Sequence, residues 1–346
     1  MARPSGKSLK LLSQYVCVRI TDLTVVDIGL FDFDADVTLY CFVLNADEQV
    51  YLRYGGRDDT SPDAYLNEKS LHAALEKGLD LHGKWKAGEL KLPARPAAKK
   101  PADYPSVKSE VIDRKQCVHC HHTGSGKTKL AASKGTLDKL KDLWVYPDAA
   151  NLGLELDADT GITVAKVKGV AKEAGFKAKD EIVKVTGNAV YTWGDLQQRL
   201  HEVPHDATSL KFTVRRKGAE TELEVTLPEW WRATRIERRS FVHAAEPFPE
   251  FWGRELTEDE RRKYGVKPGE FGAEVTKFWV KTNAQSAGVQ VGDIIYEVDG
   301  TRSAPYTGHP ALWVRLNRKT GDTIKVKVLR GDKNLEFSFK LRAKAW

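Results

Sequence analysis

Methionine is almost missing from this chain: Met1 is the only one in 346 residues. A thioether axial ligand to a haem iron is thereby excluded. Long hydrophobic runs are missing too. No stretch of 18 apolar residues occurs, so no helix long enough to span a bilayer is expected. Behind the basic residues of Met-Ala-Arg-Pro-Ser-Gly-Lys-Ser-Leu-Lys10 there is no continuous apolar region, so no signal peptide is recognisable. No Gly-Asp-Ser-Gly-Gly-like segment or other nucleophile motif appears, which argues against protease activity and against an enzyme in general. Charge of one sign is not in large excess. The net +7 is modest for this length and part of the basic surplus lies in one linker, so nucleic acid is not an expected partner. What is present is 41% hydrophobic residues, enough for packed modules, in a chain long enough for two or three domains.

Cysteine is scarce, at four residues, yet two of them carry the most definite chemistry of the chain. Residues 117–121 read Cys-Val-His-Cys-His. Two thiols three positions apart with an imidazole beside the second match covalent haem c attachment, through Cys117 and Cys120, with His121 as proximal iron ligand. A distal ligand would have to be His72, His82, His201, His205, His243 or His309, because His119 lies inside the loop and His122 adjoins the ligand. The same residues also fit part of a zinc site, a dithiol with lowered pKa, or plain structural cysteines. Haem attachment takes place outside the bacterial cytoplasm, so the missing leader conflicts with that reading: either a leader has been lost or there is no haem. Cys17 and Cys41 fall in expected strands, where reduced, buried thiols are the ordinary outcome. The run Gly124-Ser-Gly-Lys-Thr128 is not a phosphate loop, since His121 stands where the first glycine would be needed.

Along the chain, Val16–Ile20 reads as a strand, and Asp36–Leu44 and Val50–Tyr54 as a hairpin turning at Asn45-Ala-Asp47 and stopping at Gly55-Gly56. Asn67 or Ser70 then caps a helix with Leu71, Ala74, Leu75 and Leu79 on one face. This strand, hairpin and helix resemble the second half of a thioredoxin-like domain of the kind fused to PDZ domains in some bacteria. The redox Cys-x-x-Cys and the cis-proline of that family are missing, so the resemblance implies a structural remnant. Residues 84–105, with Pro93, Pro96, Pro101 and Pro105 among Ala and Lys, read as an extended, solvated spacer. Residues 106–143 place the Cys-x-x-Cys-His run between two helices, the second capped by Thr136.

The remaining half repeats itself. Ala174-Gly-Phe-Lys-Ala-Lys-Asp-Glu-Ile-Val-Lys-Val-Thr-Gly187 aligns without gaps on Ala287-Gly-Val-Gln-Val-Gly-Asp-Ile-Ile-Tyr-Glu-Val-Asp-Gly300. Each segment describes a helix ending at Gly, an Asp-bearing turn, and an alternating strand running into a Gly turn. The pattern resembles the PDZ domain in its bacterial form. That resemblance implies peptide-binding residues: Leu152, Gly153 and Leu154 as carboxylate loop and edge strand, and Trp193, Gln197 and Leu200 on a groove helix capped by Thr192. In the second copy Phe271-Gly272-Ala-Glu-Val275 would be the edge strand, with Tyr264-Gly-Val266 or Glu270-Phe-Gly272 as the loop. Trp279 and Trp313 of that copy are assigned to its core or its groove. The aromatic stretch 230–256, with Trp230, Trp231, Phe248, Phe251 and Trp252, reads as a linker packed between the copies, and Thr257-Glu-Asp-Glu260 as a capping box.

The fold class expected is therefore multidomain α/β and β: a partial thioredoxin-like α/β domain at 1–83, a linker at 84–105, a helical segment at 106–143, and two PDZ domains at 144–229 and 257–346. Each PDZ domain is a small β-barrel or sandwich capped by helices. The function implied is non-catalytic binding of carboxyl-terminal or extended peptides in the bacterial periplasm or envelope, with haem c, or alternatively zinc, at Cys117, Cys120 and His121. The other readings are an electron-transfer or redox-sensing haem protein, or a zinc or thiol-redox protein.

Overall fold

The computed structural model describes residues 6–343 except 238 and 279; Trp279 therefore lies outside the described residues. The chain divides into two compact units, residues 1–130 with 144–234, and residues 131–143 with 235–346.

The first unit opens with α1 (Gly6–Leu12), the antiparallel hairpin β1 (Tyr40–Leu44) and β2 (Val50–Gly55), and α2 (Glu68–Lys86). Asn67 caps α2 and forms a reciprocal box with Ser70, so the two candidate capping residues act together. Val43, Leu52, Tyr54, Ala74 and Leu81 close the small core between hairpin and helix. Val16–Ile20 forms no strand. The segment is unpaired, with Val16 95% and Val18 76% exposed, because β1 bonds only to β2 and no ladder reaches it. Cys17 is accordingly exposed, while Cys41 on β1 is partly covered.

The expected spacer at 84–105 is pinned rather than free. Its first residues finish α2, Asp27 accepts the Lys99 amide at 2.8 Å and pairs with Arg95, and Pro101 is buried. A short helix α3 (Pro105–Val107) continues as a π-helical turn over Lys108–Ile112. It packs Tyr104, Val107 and Val111 against Leu23 and Val118. Helix α4 (Cys120–Ser133) contains the whole Gly124–Thr128 run. A Cβ on Gly126 would sit 2.6 Å from the Val107 side chain, so this glycine serves close packing.

The repeated half begins in the first unit with β3 (Leu154–Leu156) and β4 (Val164–Val167), α6 (Gly169–Glu173), β5 (Glu181–Val185), β6 (Asn188–Ala189), α7 (Trp193–His201), β7 (Ser209–Arg216) and β8 (Ala219–Thr226); the fifth helix in chain order, α5 (Lys139–Asp142), belongs to the second unit. Strands run β6-β5-β7-β8, and a bridge from Thr163 to Glu181 joins the β3–β4 pair to them. The second unit holds α5, α8 (Ser240–His243), β9 (Trp252–Glu255), α9 (Glu258–Tyr264), β10 (Ala273–Lys277), α10 (Asn283–Ala287), β11 (Ile294–Val298), α11 (Pro310–Asn317), β12 (Thr323–Arg330) and β13 (Lys333–Lys340). Its sheet runs β13-β12-β11-β10-β9. Thr257 and Glu260 form the expected capping box of α9, whereas α5 is capped by Asp138 and not by Thr136.

One ion pair recurs in both copies. Asp180 accepts the Lys177 amide and is held by Arg216, which also donates to Gly175 O; Asp293 accepts the Gln290 amide and is held by Arg330, which donates to Gly288 O. The Asp of the repeated turn thus locks that turn to the strand following the groove helix. The aromatic stretch between the copies is shared out: Trp231 enters the core with Leu152 and Phe212, and Phe251 enters the core with Phe271 and Val326.

Candidate functional site

A PDZ-type groove lies between an edge strand and the helix beside it, with a loop closing one end. In the first copy these walls are β3, α7 and the turn Asp148–Gly153. Thr192 caps α7 as expected, accepting from Asp195 N. Trp193, Leu196 and Leu200 of α7 all enter the domain core. Leu200 is fully buried there, while Gly194, Asp195 and Gln197 of α7 meet the hairpin and the residues after it.

That face of α7 is already occupied by the hairpin. The Arg53 amide donates to Asp195 Oδ1 at 2.9 Å, and Thr192 Oγ1 donates to Arg53 O. A Cβ on Gly194 would approach Arg53 O to 2.9 Å, and one on Gly56 (φ +109°) would meet Gln197 Oε1 at 2.7 Å. Gly194 therefore lets the two backbones approach closely, and Gly56 makes room for the Gln197 and Trp193 side chains. Beyond Gly56, residues 57–67 touch the helix and the loop and reach the turn that follows β3. Gln197 Nε2 donates to Arg57 O at 2.7 Å, the Asp59 amide donates to Asp148 Oδ2 at 3.1 Å, Tyr65 stacks on Trp193 with centroids 4.2 Å apart, and Asn67 Nδ2 donates to Ala158 O at 2.8 Å.

The loop itself presents few free donors. The Asn151 and Gly153 amides donate to Asp148 O and Ala150 O inside the turn, and the Asp148 carboxylate accepts from the Ala150 amide. Burial pushes the Asp148 carboxyl up to about 6. The Asn151 side chain is spent on Trp231 O and Ala233 O. Leu152, Gly153 and Leu154, assigned from sequence to carboxylate capture, are all buried.

In the second copy the edge strand is β9, not Phe271–Val275. β10 lies inside the sheet between β9 and β11, Phe271 is fully buried and Gly272 is buried beside it. The equivalence is fixed by backbone bonds: Val164 N donates to Asp180 O, as Val275 N does to Asp293 O, and their outer partners are Leu156 and Gly253. Helix α9 is inserted between the paired strands and breaks the constant repeat spacing, which is why the alignment missed β9. Neither Tyr264–Val266 nor Glu270–Gly272 leads into this strand. The entering turn carries Glu250 (φ +69°), whose buried carboxylate accepts the Asn283 amide at 2.8 Å and pairs with Arg342.

Between β9 and α11 lies a cavity of about 180 Å³, lined by Val242, His243, Trp252, Gly253, Leu312 and Arg315 among others. His309, at the N-terminus of α11, donates from Nε2 to Gly253 O at 3.3 Å, and burial pushes its imidazole pKa down. The Arg315 guanidinium is buried and donates to Val242 O, His243 O and Ala245 O, capping α8.

The Cys-x-x-Cys-His residues lie at the start of α4. Cys117 is exposed, Cys120 half-buried, and neither is in a disulfide. The three imidazoles contact one another, His121 and His122 with centroids 4.3 Å apart, and His122 Nδ1 accepts the His119 amide. Burial, then the neighbouring His119, lowers the His121 pKa, and burial raises that of the Cys120 thiol. Among the described residues no group of three or more His, Cys, Asp or Glu is placed to hold a metal ion. His72 shares a hydrogen bond with Ser8, His82 with Tyr51, and His201 stacks on Tyr146. No helix among the described residues is long and apolar enough to cross a membrane.

A family profile described as a PDZ domain matches residues 145–227 and 255–341. Among solved structures, the chain is similar to the HtrA3 PDZ domain bound to a phage-derived ligand (FGRWV), at 22% identity over 28% of this chain and 86% of that one, with a TM-score of 0.23. It is also similar to an aminopeptidase N family protein from Idiomarina loihiensis, at 17% identity over 29% of this chain and 14% of that one, TM-score 0.23. A third is the HtrA-type protease AlgW with decapeptide, at 11% identity over 40% of this chain and half (50%) of that one, TM-score 0.25. No curated protein matches this chain.

Proposed function

The chain carries two PDZ domains, and on that premise we propose that it is a non-catalytic protein-binding scaffold whose open site is the groove of the second domain. The observation that supports this is the cavity of about 180 Å³ between β9 and α11, set against a first groove crossed by the chain's own residues. That volume is below the roughly 300–1,000 Å³ of small-molecule pockets and suits one large side chain of an extended segment laid beside β9. Trp252 and Leu312 supply its apolar wall. The ligand segment has to displace or pass the His309 bond to Gly253 O to pair with the strand. Panning a peptide display library on the full chain should yield clones whose affinity drops at least tenfold in Trp252→Ala. Clones indifferent to Trp252→Ala and to Leu312→Ser would sink this assignment.

The β1–β2 hairpin with α2 is read on the same proposal as a thioredoxin-like remnant with a structural task, carrying residues 57–67 to α7. A second reading rests on the donor set at α4. Two thiols outside any disulfide, one exposed and one half-buried, followed directly by an imidazole, suit covalent haem c held by Cys117, Cys120 and His121. Haem would supply one-electron transfer, and its attachment would place the protein in the envelope. Zinc in a structural site needs four ligands, and these three residues fall one short. Intact mass of protein made with an export leader in haem-attaching cells decides this reading.

A further inference from the structure

We propose that residues 57–67 are an internal ligand of the first PDZ groove, a displaceable strap that an outside segment bearing an aromatic side chain can replace. The inference concerns the first groove and does not depend on peptide binding by the second. The strap touches the loop, the helix and the turn after β3 through Asp148, Gln197, Trp193 and Ala158. Its ring on Trp193 and its backbone donor on Asp148 are what a bound peptide would offer. With the Asp148 carboxylate taking the Ala150 amide, the competitor is an internal segment and not a chain terminus.

The strap differs from the joint before it. At β2 the contact with α7 is deep: Asp195 is buried, and glycines stand where a Cβ would collide with backbone. From Asp58 to Leu66 the chain has no helix or strand, Thr60, Pro62 and Asp63 are exposed, and no bridge joins it to β3. Tyr65 and Leu66 pack on the neighbouring cores, but no residue of 57–67 is fully buried and no ladder holds the segment, so it opens below the global unfolding free energy. Being tethered at both ends, it competes at an effective concentration of about a millimolar, so a strap whose own Kd for the groove is near 100 μM would suppress any outside peptide roughly tenfold.

The test uses the full chain and a labelled synthetic peptide of the strap's own sequence, Arg57 to Asn67, read by anisotropy. Tyr65→Ala should bind this peptide several-fold more tightly than the unaltered chain, approaching tenfold, and Gln197→Ala added to it should remove the gain. Hydrogen exchange should show the Asp59 amide opening faster than those of β5 and β7, with β5 and β7 unchanged in Tyr65→Ala. Equal binding to both chains, or Asp59 exchanging as slowly as β5, would establish a permanent interface and overturn the strap. Binding of second-groove clones, sensitive to Trp252, provides the separate control for the other domain.

Discussion

Gly153, expected in the carboxylate loop, also carries a backbone demand that the sequence does not name. Its φ of +89° is left-handed, and a Cβ there would lie 1.9 Å from Lys168 O. The glycine is demanded by the close passage of Lys168, the residue after β4, whose amide donates to Gly153 O at 2.8 Å. Gly187 is also left-handed, at φ +77°, with nothing near its missing Cβ. Gly187→Ala should therefore cost about 1 kcal/mol, and Gly153→Ala at least about 3 kcal/mol, in urea unfolding of the first unit. Similar losses for the two would mean that the backbone contact at Gly153 relaxes away. Lys179 makes the same point from the other side. It stands at φ +72° where the second copy has Gly292 at +91°, and the turn still closes because Asp180 and Arg216 hold it.

Helix α7 is the element on which the first unit turns: one face enters the PDZ core, the other takes the hairpin, and its last residue stacks on Tyr146. His201 Nδ1 accepts the Tyr146 amide at 3.4 Å, so the ring is bound in its neutral form, and burial pushes its pKa down to about 3. A histidine whose folded pKa is depressed contributes stability above its unfolded value of about 6.5, and that contribution is lost as pH falls toward 3. Between pH 7 and pH 5 the unaltered chain should lose about 1–2 kcal/mol more than His201→Phe, measured as the difference in urea midpoints. Parallel pH profiles for the two chains would show that His201 titrates normally. Strands β7 with β8 and β12 with β13 pair along their length through short Gly or Asp turns. Val16–Ile20 has equally good strand residues and remains unpaired, because strand residues need a neighbouring edge that composition does not supply.

At the scale of the whole molecule the two units are not consecutive pieces of chain. Residues 131–143 belong to the second unit although they precede the first PDZ domain. The hold is Lys139, whose Nζ donates to Glu246 O, Arg315 O and Arg318 O around the end of α11, with burial depressing its pKa to about 8. Removing the ammonium leaves several carbonyls without a donor, at about 1–3 kcal/mol. Lys139→Met should lower the unfolding midpoint of the second unit and leave that of the first unchanged, as resolved by hydrogen exchange along the chain. A loss shared equally by both units would show that residues 131–143 serve them alike.

By itself the sequence determined the two copies, the caps at Asn67, Thr192 and Thr257, and the Cys-x-x-Cys-His run, because each depends on neighbours a few residues apart or on a pattern repeated whole. Tertiary structure decided which strand is the edge of the second copy, where Leu200 points, and what lies across the first groove. Those outcomes follow from contacts between residues far apart in the chain, Tyr65 on Trp193 and Arg53 on Asp195, and from an inserted helix that shifts β9 out of the repeat's spacing. Local pattern fixes what an element is, while the groove left open to a partner is fixed by whatever else the chain folds against it.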